Sequence, residues 1–372
     1  MVNQRDVSID VLRILCCLMV IAIHATPEYE SYITLGAARA DEIQGLLVQA
    51  FVRGGLPIFF MISGLYILNS EQENLSAFYK KRLLKILVPF LVFSSLHFFI
   101  LGYRDPNANL LSLTWGFLSG LNSPSALGPH FWFIYSLVGL YLISPLVSLF
   151  LKSIDSSLVW KIILGLLAIK AYNLYSIRGV TGIAIPDIDV WLLYFLIGGL
   201  LVRIKPPPIL FSLAILLASW MVTCLLVYIQ AHYLTDVKFR PFDGGLNMYA
   251  FSISACLIFL SLKIKLPSLM EKMVIFVSKG TYGIFLIHVL VLFELGARID
   301  LQPYKENIVV YTIVMSTVVF AVSFLLSSVI DFLICNRLIR LLSGKRRREG
   351  VGPGSHPAPS WPSGSPSPFW RM

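Results

Sequence analysis

Apolar stretches of roughly 18 to 25 residues recur along the whole chain, separated by short polar loops. Each is long enough to cross a hydrocarbon layer of about 30 Å as a helix. Ten such spans are expected, near residues 9–26, 44–68, 83–102, 130–150, 158–176, 189–204, 209–231, 247–262, 279–297 and 308–335. The sixth is among the shortest. The segment 103–129, with Trp115 and Phe117, reads as re-entrant or interfacial. The expected fold class is therefore all-α, a polytopic membrane protein with about ten transmembrane helices. Composition agrees: 57% of residues are hydrophobic and 13% charged, where a soluble domain carries about 25% charged residues.

The net charge of +10 would suggest nucleic acid if it were spread evenly. It is concentrated in alternate loops, which is a topology signal, and no nucleic-acid partner is expected. One set of loops holds Arg5, the run Lys80–Lys81–Arg82, Lys152, Arg203, Lys272 and the basic residues after position 335. The other holds Arg39, Arg104, Arg178, Lys238, Arg240, Arg298 and Lys305, each with acids nearby. Basic loops mark the cytoplasmic side, so both termini are expected inside, as an even number of spans requires. The five cysteines all fall in apolar segments without a CxxC pair, and no disulfide framework is expected. The first apolar run lacks a basic leader and a small-residue cleavage site, and is expected to stay as a helix. The membrane domain is expected over 1–344, followed by a basic and then Pro/Ser/Gly-rich disordered tail over 345–372.

Ionisable side chains within a span cost about 2.5–3.5 kcal/mol each at a helix centre, so each raises the question of function. The first span, DVLRILCCLMVIAIH, carries Arg13 and His24. Eleven residues at 100° each amount to three turns plus about 20°, so both lie on one helix face, about 16.5 Å apart along the axis. Snorkelling toward the cytoplasm also accounts for Arg13; His24 is too short to snorkel far. Asp10 can pair with Arg13 one turn away. The second span contains RGGLPIFFMISG, with Arg53 inside its outer half. Gly54, Gly55 and Pro57 loosen the backbone there, and Ser63 and Gly64 are small enough for close helix packing.

Arg82 and Lys85 share a face at the start of the third span, with Lys81 one turn from Lys85. Such a group can hold phosphates, although the positive-inside rule also explains it. The fourth span opens with His130 and Trp132. An interfacial aromatic belt accounts for Trp132 but not for His130. In the ninth span Tyr282 and His288, six apart, lean toward opposite faces and need not share a site. His288 is expected to be neutral and hydrogen-bonded. There is no HExxH, no Cys/His cluster, no GxSxG elbow and no P-loop, and no metal is expected.

The pattern Asp10-Val-Leu-Arg13, ten residues, His24 resembles the signature of the integral-membrane acyltransferase family 3. The blocks LPIFFMISG (56–64), KRLLKILVP (81–89), HFWF (130–133), YFLIGGLL (194–201) and TYGIFLIH (281–288) follow in that family's order. The resemblance covers roughly residues 5 to 340, and the wording is most like the family's small single-domain branch. It implies an enzyme of the bacterial cytoplasmic membrane that moves an acyl group, usually acetyl, from cytoplasmic acetyl-CoA to a hydroxyl of a lipid-linked or surface polysaccharide. His24 matches the family's essential histidine and Arg13 its paired arginine. Arg82 and Lys85 match a basic pair usually written Arg-x-x-Arg that holds the CoA phosphates. Here the second member is Lys, which keeps the charge but loses the bidentate fork.

On this reading His24 is the general base and Arg53, from topology alone, the donor to the developing oxyanion. An acyl-histidine intermediate remains open. The alternative class is a glycan transporter or flippase, which would also have about ten spans, intramembrane charges and broken helices; no matching halves are visible in the sequence.

Overall fold

The computed structural model describes residues 5–26, 39–70, 74–102, 109–175, 185–233, 241–298 and 307–343. The loop arginines and lysines at 104, 178, 238, 240 and 305, and the tail over 345–372, lie outside the described residues. Among those described, every regular element is helical.

Helix α1 is Val7–Ala25, capped by the Asp6 carboxylate on the Ser8 amide at 2.8 Å. Then follow α2 Arg39–Val52, α3 Gly55–Leu68, α4 Leu75–His97 and α5 Leu110–Leu121. The second half of the bundle holds α6 Trp132–Lys152, α7 Val159–Tyr175, α8 Val190–Leu201, α9 Ile209–Tyr233 and α10 Leu246–Leu262. The last elements are α11 Ser268–Arg298, α12 Ile308–Ile330 and α13 Asn336–Leu342. A π-helical turn over Asp331–Cys335 joins the last two. The protein is thus an all-α polytopic membrane protein.

Among the described residues, eight helical stretches are long and apolar enough to span a bilayer. The expected sixth and eighth spans are the exceptions: α8 has 12 residues and α10 has 17. At 1.5 Å per residue α8 reaches only about 18 Å. Its Leu193, Tyr194, Phe195 and Ile197 are fully buried. A helix enclosed by protein does not have to match the thickness of lipid. The segment 103–129 contains α5, which has 12 residues and buries none of them. It is too short to cross and exposes Leu110, Leu111 and Trp115, as an interfacial element does.

The core rests on the close approach of α3 and α8. A methyl group at Gly64 would collide with the Phe195 backbone, and one at Gly198 with the Met61 backbone. Membrane helices gain little from hydrophobicity against each other, so such close van der Waals contact is what binds them. Asn69 closes the seam by donating to the carbonyls of Leu65 and Gly199 at 3.0 and 2.9 Å.

Between α2 and α3 the chain breaks its helical path at Arg53 and Gly54. The expectation that glycines merely loosen this backbone is too weak. A side chain at Gly54 would run into the Phe251 ring, and one at Gly55 would lie 2.7 Å from Met19 Cβ. The break lets α10 and α1 press against the turn, and it leaves Arg53 projecting beside it.

Gly198→Val is expected to destabilise the fold by at least about 1–3 kcal/mol, because backbone on α3 cannot yield. Gly165→Ala, which meets nothing within 4 Å, is the control. In detergent, the melting temperature should drop sharply for the first and hold or rise slightly for the second.

Candidate active site

Among the described residues, two part-open cavities lie along α1, and eight of the expected site residues are divided between them. The larger is a cavity of about 710 Å³. Arg13 of α1, Ser63 of α3, Lys85 of α4 and Tyr282 of α11 line it. It is a basic chamber with polar hydroxyls. Arg13 sits with its guanidinium 5.3 Å from the centre of the Tyr66 ring, a cation–π contact that steadies a charge inside a span. Tyr282 donates to the Ile86 carbonyl at 2.9 Å, tying α11 to α4. Ser63 hydrogen-bonds to Tyr141, which stands in the fields of both Arg13 and Arg82.

The basic group at the start of α4 does not act as one unit. Lys85 is on the cavity wall, whereas Arg82 is half-buried against Phe78 at 5.1 Å and Lys81 is exposed. Arg5, Lys279, Tyr141 and Asp331 also line the chamber; sequence reasoning did not single them out for a site. Asp331 had a signal, being a carboxylate inside the expected last span. Arg5 and Lys279 had none beyond loop topology.

Asp10 is not the partner of Arg13. Its carboxylate is gripped by Arg5 through two bonds of 2.5 and 2.8 Å and receives the Ser278 hydroxyl at 2.6 Å. The cause is direction: Asp10 is buried toward α11 at 1% exposure, while Arg13 opens into the cavity. Three donors on one buried carboxylate compensate its lost hydration.

The smaller volume, about 110 Å³, lies further along α1. His24, Arg53, His130 and Trp132 all line it, together with Asp243. The four expected residues come from three separate stretches of sequence, and the fold brings them to one pocket. Trp132 is not a lipid-facing belt residue. It packs on Trp191 with ring centres 5.0 Å apart and forms pocket wall. Arg53 lies with its guanidinium 5.0 Å from the Phe242 ring, and its Nε donates weakly to Gln49 at 3.4 Å. Asp243 sits in the loop before α10 in left-handed backbone, φ 52°, which Asp tolerates better than most residues. Burial raises the pKa of its carboxyl, and the Arg53 charge opposes that rise.

Phe133 and Phe285 line both volumes. Their ring centres are 4.7 Å apart, so a two-ring septum separates the basic chamber from the histidine pocket. As expected from their spacing, Tyr282 and His288 part company: Tyr282 faces the chamber, and His288 is buried beside His24 with ring centres 5.3 Å apart. His130 and then His97 continue the row at 5.0 and 5.3 Å. His97, unforeseen, also lies within an expected span. So does Lys170, which is buried and bonds Asp187 and the Ile188 carbonyl at 3.0 Å. It ties α7 to the segment before α8 and lines neither volume. Among the described residues no three His, Cys, Asp or Glu side chains are placed to hold a metal.

A family model described as an acyltransferase domain, that of acyltransferase family 3, matches residues 6–328. No curated protein and no solved structure matches the chain.

Removing one end of the Arg5–Asp10 pair should be asymmetric. Arg5→Ala leaves a buried carboxylate with only Ser278 and is expected to cost about 3 kcal/mol. Asp10→Asn removes the charge along with its need for a counter-ion, and should cost less. Thermal unfolding of the two variants in the same detergent measures the difference.

Proposed function

The chain belongs to acyltransferase family 3, and we propose that it is an O-acetyltransferase acting across the bacterial cytoplasmic membrane. Acetyl-CoA is the donor, and a hydroxyl of a lipid-linked or surface polysaccharide is the acceptor. The observation that carries this reading is the pair of compartments back to back, one basic and one bearing histidine, divided by two phenyl rings. Acyl transfer from a polyanionic donor needs such an arrangement: phosphates held at one end, reacting atoms brought to a base at the other.

The chamber is in the range of about 300–1,000 Å³ that takes a drug-sized ligand. Lys85, Arg13 and Lys279 hold donor phosphates and the pantetheine arm there, with Arg82 and Lys81 at its exposed approach. This end is read as cytoplasmic and both termini as inside, a reading supported by the bias of basic residues among the loops. The thioester passes between Phe133 and Phe285 into the pocket. There the acceptor oxygen attacks the thioester carbonyl carbon while His24 takes the hydroxyl proton. The carbon–sulfur bond breaks, and His24 returns the proton to the departing thiolate. An ester and free CoA result. Arg53, on the same pocket wall as His24, offers N–H groups to the oxygen that becomes negative on the way. The reference pKa of histidine, about 6.5, suits a base working near neutral pH.

Membranes holding the protein, given labelled acetyl-CoA and host lipid-linked glycans, should label the glycan. His24→Ala should lower that rate by at least about 10²-fold. Label transfer that persists in the mutant removes His24 as the base; glycan movement without label favours a transporter. Phe285→Ala should open the septum and raise acetyl-CoA hydrolysis measured without acceptor, since water then reaches the thioester. Arg53→Lys should slow turnover while leaving the KM for acetyl-CoA unchanged; full turnover would exclude Arg53 as the oxyanion donor.

A further inference from the structure

Asp243 borders the histidine pocket, and the proposed transfer gives it no task. The segment that carries it is firmly held. Tyr194 donates its hydroxyl to the Asp243 carbonyl at 2.6 Å. The Asn247 amide donates to the Pro241 carbonyl and to the Thr223 hydroxyl, each at 2.7 Å. Asp243 adopts left-handed backbone, φ 52°, a conformation that glycine takes freely. Gly244 and Gly245 follow directly, yet the left-handed position is filled by a carboxylate. Side chains kept in such backbone gather at ligand sites, where the surrounding structure over-determines them.

The carboxylate itself is left open. Among the described residues it receives no hydrogen bond, and Arg53 acts on it as a nearby positive charge. A part-buried carboxylate with a compensating charge but no donor is ready to accept one from a ligand. The opposite wall is set by the same short helix. On α8, Trp191 packs on Trp132 with ring centres 5.0 Å apart, and Tyr194 follows one turn later, 6.3 Å from Trp191. Tyr194 in turn stacks on Tyr249 of α10 at 4.2 Å. One aromatic row therefore fixes both Trp132 and Asp243 at the pocket.

The pocket holds about 110 Å³, the share of about four liquid waters. That admits one edge of a sugar ring and not a whole ring. Such an edge carries neighbouring hydroxyls, and a hydroxyl donates where a carboxylate accepts. A phosphate or a carboxylate in the same place would be repelled.

We propose that Asp243 selects the acceptor: its carboxylate accepts a hydrogen bond from the sugar hydroxyl next to the one that is acylated, while the C–H surface of the ring lies along Trp132. This rests on the pocket being the acceptor's site in the proposed transfer. The specificity that follows is for a neutral diol edge, one hydroxyl to react and its neighbour to be held.

The test pairs equilibrium binding of labelled host lipid-linked glycan to the full chain, without acetyl-CoA, with steady-state kinetics in membranes. Asp243→Gly keeps the left-handed backbone and removes the carboxylate. It should weaken glycan binding by about 10- to 100-fold, the range for a hydrogen bond to a charged group. The KM for glycan should rise alike, with the KM for acetyl-CoA unchanged. Asp243→Asn also suits the backbone and keeps one acceptor oxygen without the charge, so its loss should be smaller. Melting temperature in detergent reports folding; if the Gly variant does not fold, the Asn variant decides. Glycan binding equal to wild type in the folded variants, or none in the wild type, would overturn the proposal. So would a fall in kcat with glycan binding unmoved, since Asp243 would then serve only to balance Arg53. Glycan binding that ranks wild type, Asn, Gly in a protein that transfers no label would instead remove the transferase reading and leave the sugar site.

Discussion

A buried carboxylate sets the register of this bundle. Asp10 is buried, and its carboxylate finds its hydrogen-bond donors only where Arg5 and Ser278 both reach it. That requirement locks α1 against α11. Sliding either helix by one turn, about 5.4 Å, would strip the carboxylate of a donor. The same lock aligns the linings of the two volumes, because Arg13 and His24 are on α1 while Tyr282 and Phe285 are on α11. Ser8 adds a second anchor at this end, accepting the Ile264 amide at 2.9 Å. Apolar contact alone would let such helices rotate and slide; a few polar ties hold them in one arrangement.

The two compartments follow from that register. Polar side chains in a membrane protein turn inward, and those of α1 share the two volumes with tyrosine and phenylalanine side chains. The chamber opens where Arg13, Ser63 and Tyr282 face one another. The pocket opens at the broken turn carrying Arg53, which close contact with Phe251 and Met19 holds in place.

Much of this was legible in the chain. Span length gave the fold class, and helix arithmetic placed Arg13 and His24 along one wall. The intramembrane-charge rule flagged His24, Arg53, His130 and His288, three of which share the pocket while the fourth backs it. What was missed has physical reasons. Periodicity cannot tell which of two neighbours a carboxylate will choose, so Asp10 was given to Arg13 and the structure gives it to Arg5. A helix inside protein carries the same apolar signature as a span without its length, so α8 is shorter, at 12 residues, than its apolar run suggests. Lys170 is an intramembrane charge like the others, yet it serves as a tie to Asp187 and not as part of either compartment. Phe133 and Phe285 carried no chemical signal at all, since their role lies in where two rings meet.

That meeting has an electrical consequence. If the chamber joins the cytoplasm and the pocket the far side, the insulating layer narrows locally to the thickness of two aromatic rings, and the membrane potential falls largely across them. Each elementary charge crossing such a drop exchanges about 2.3 kcal/mol per 100 mV with the field. On the proposed function, the thioester would carry no charge where it threads between the rings, and the donor's phosphates would stay behind with the basic residues. The transfer would then run at the same cost in an energised cell and in a depolarised one, while the rings keep ions from following the acyl group through.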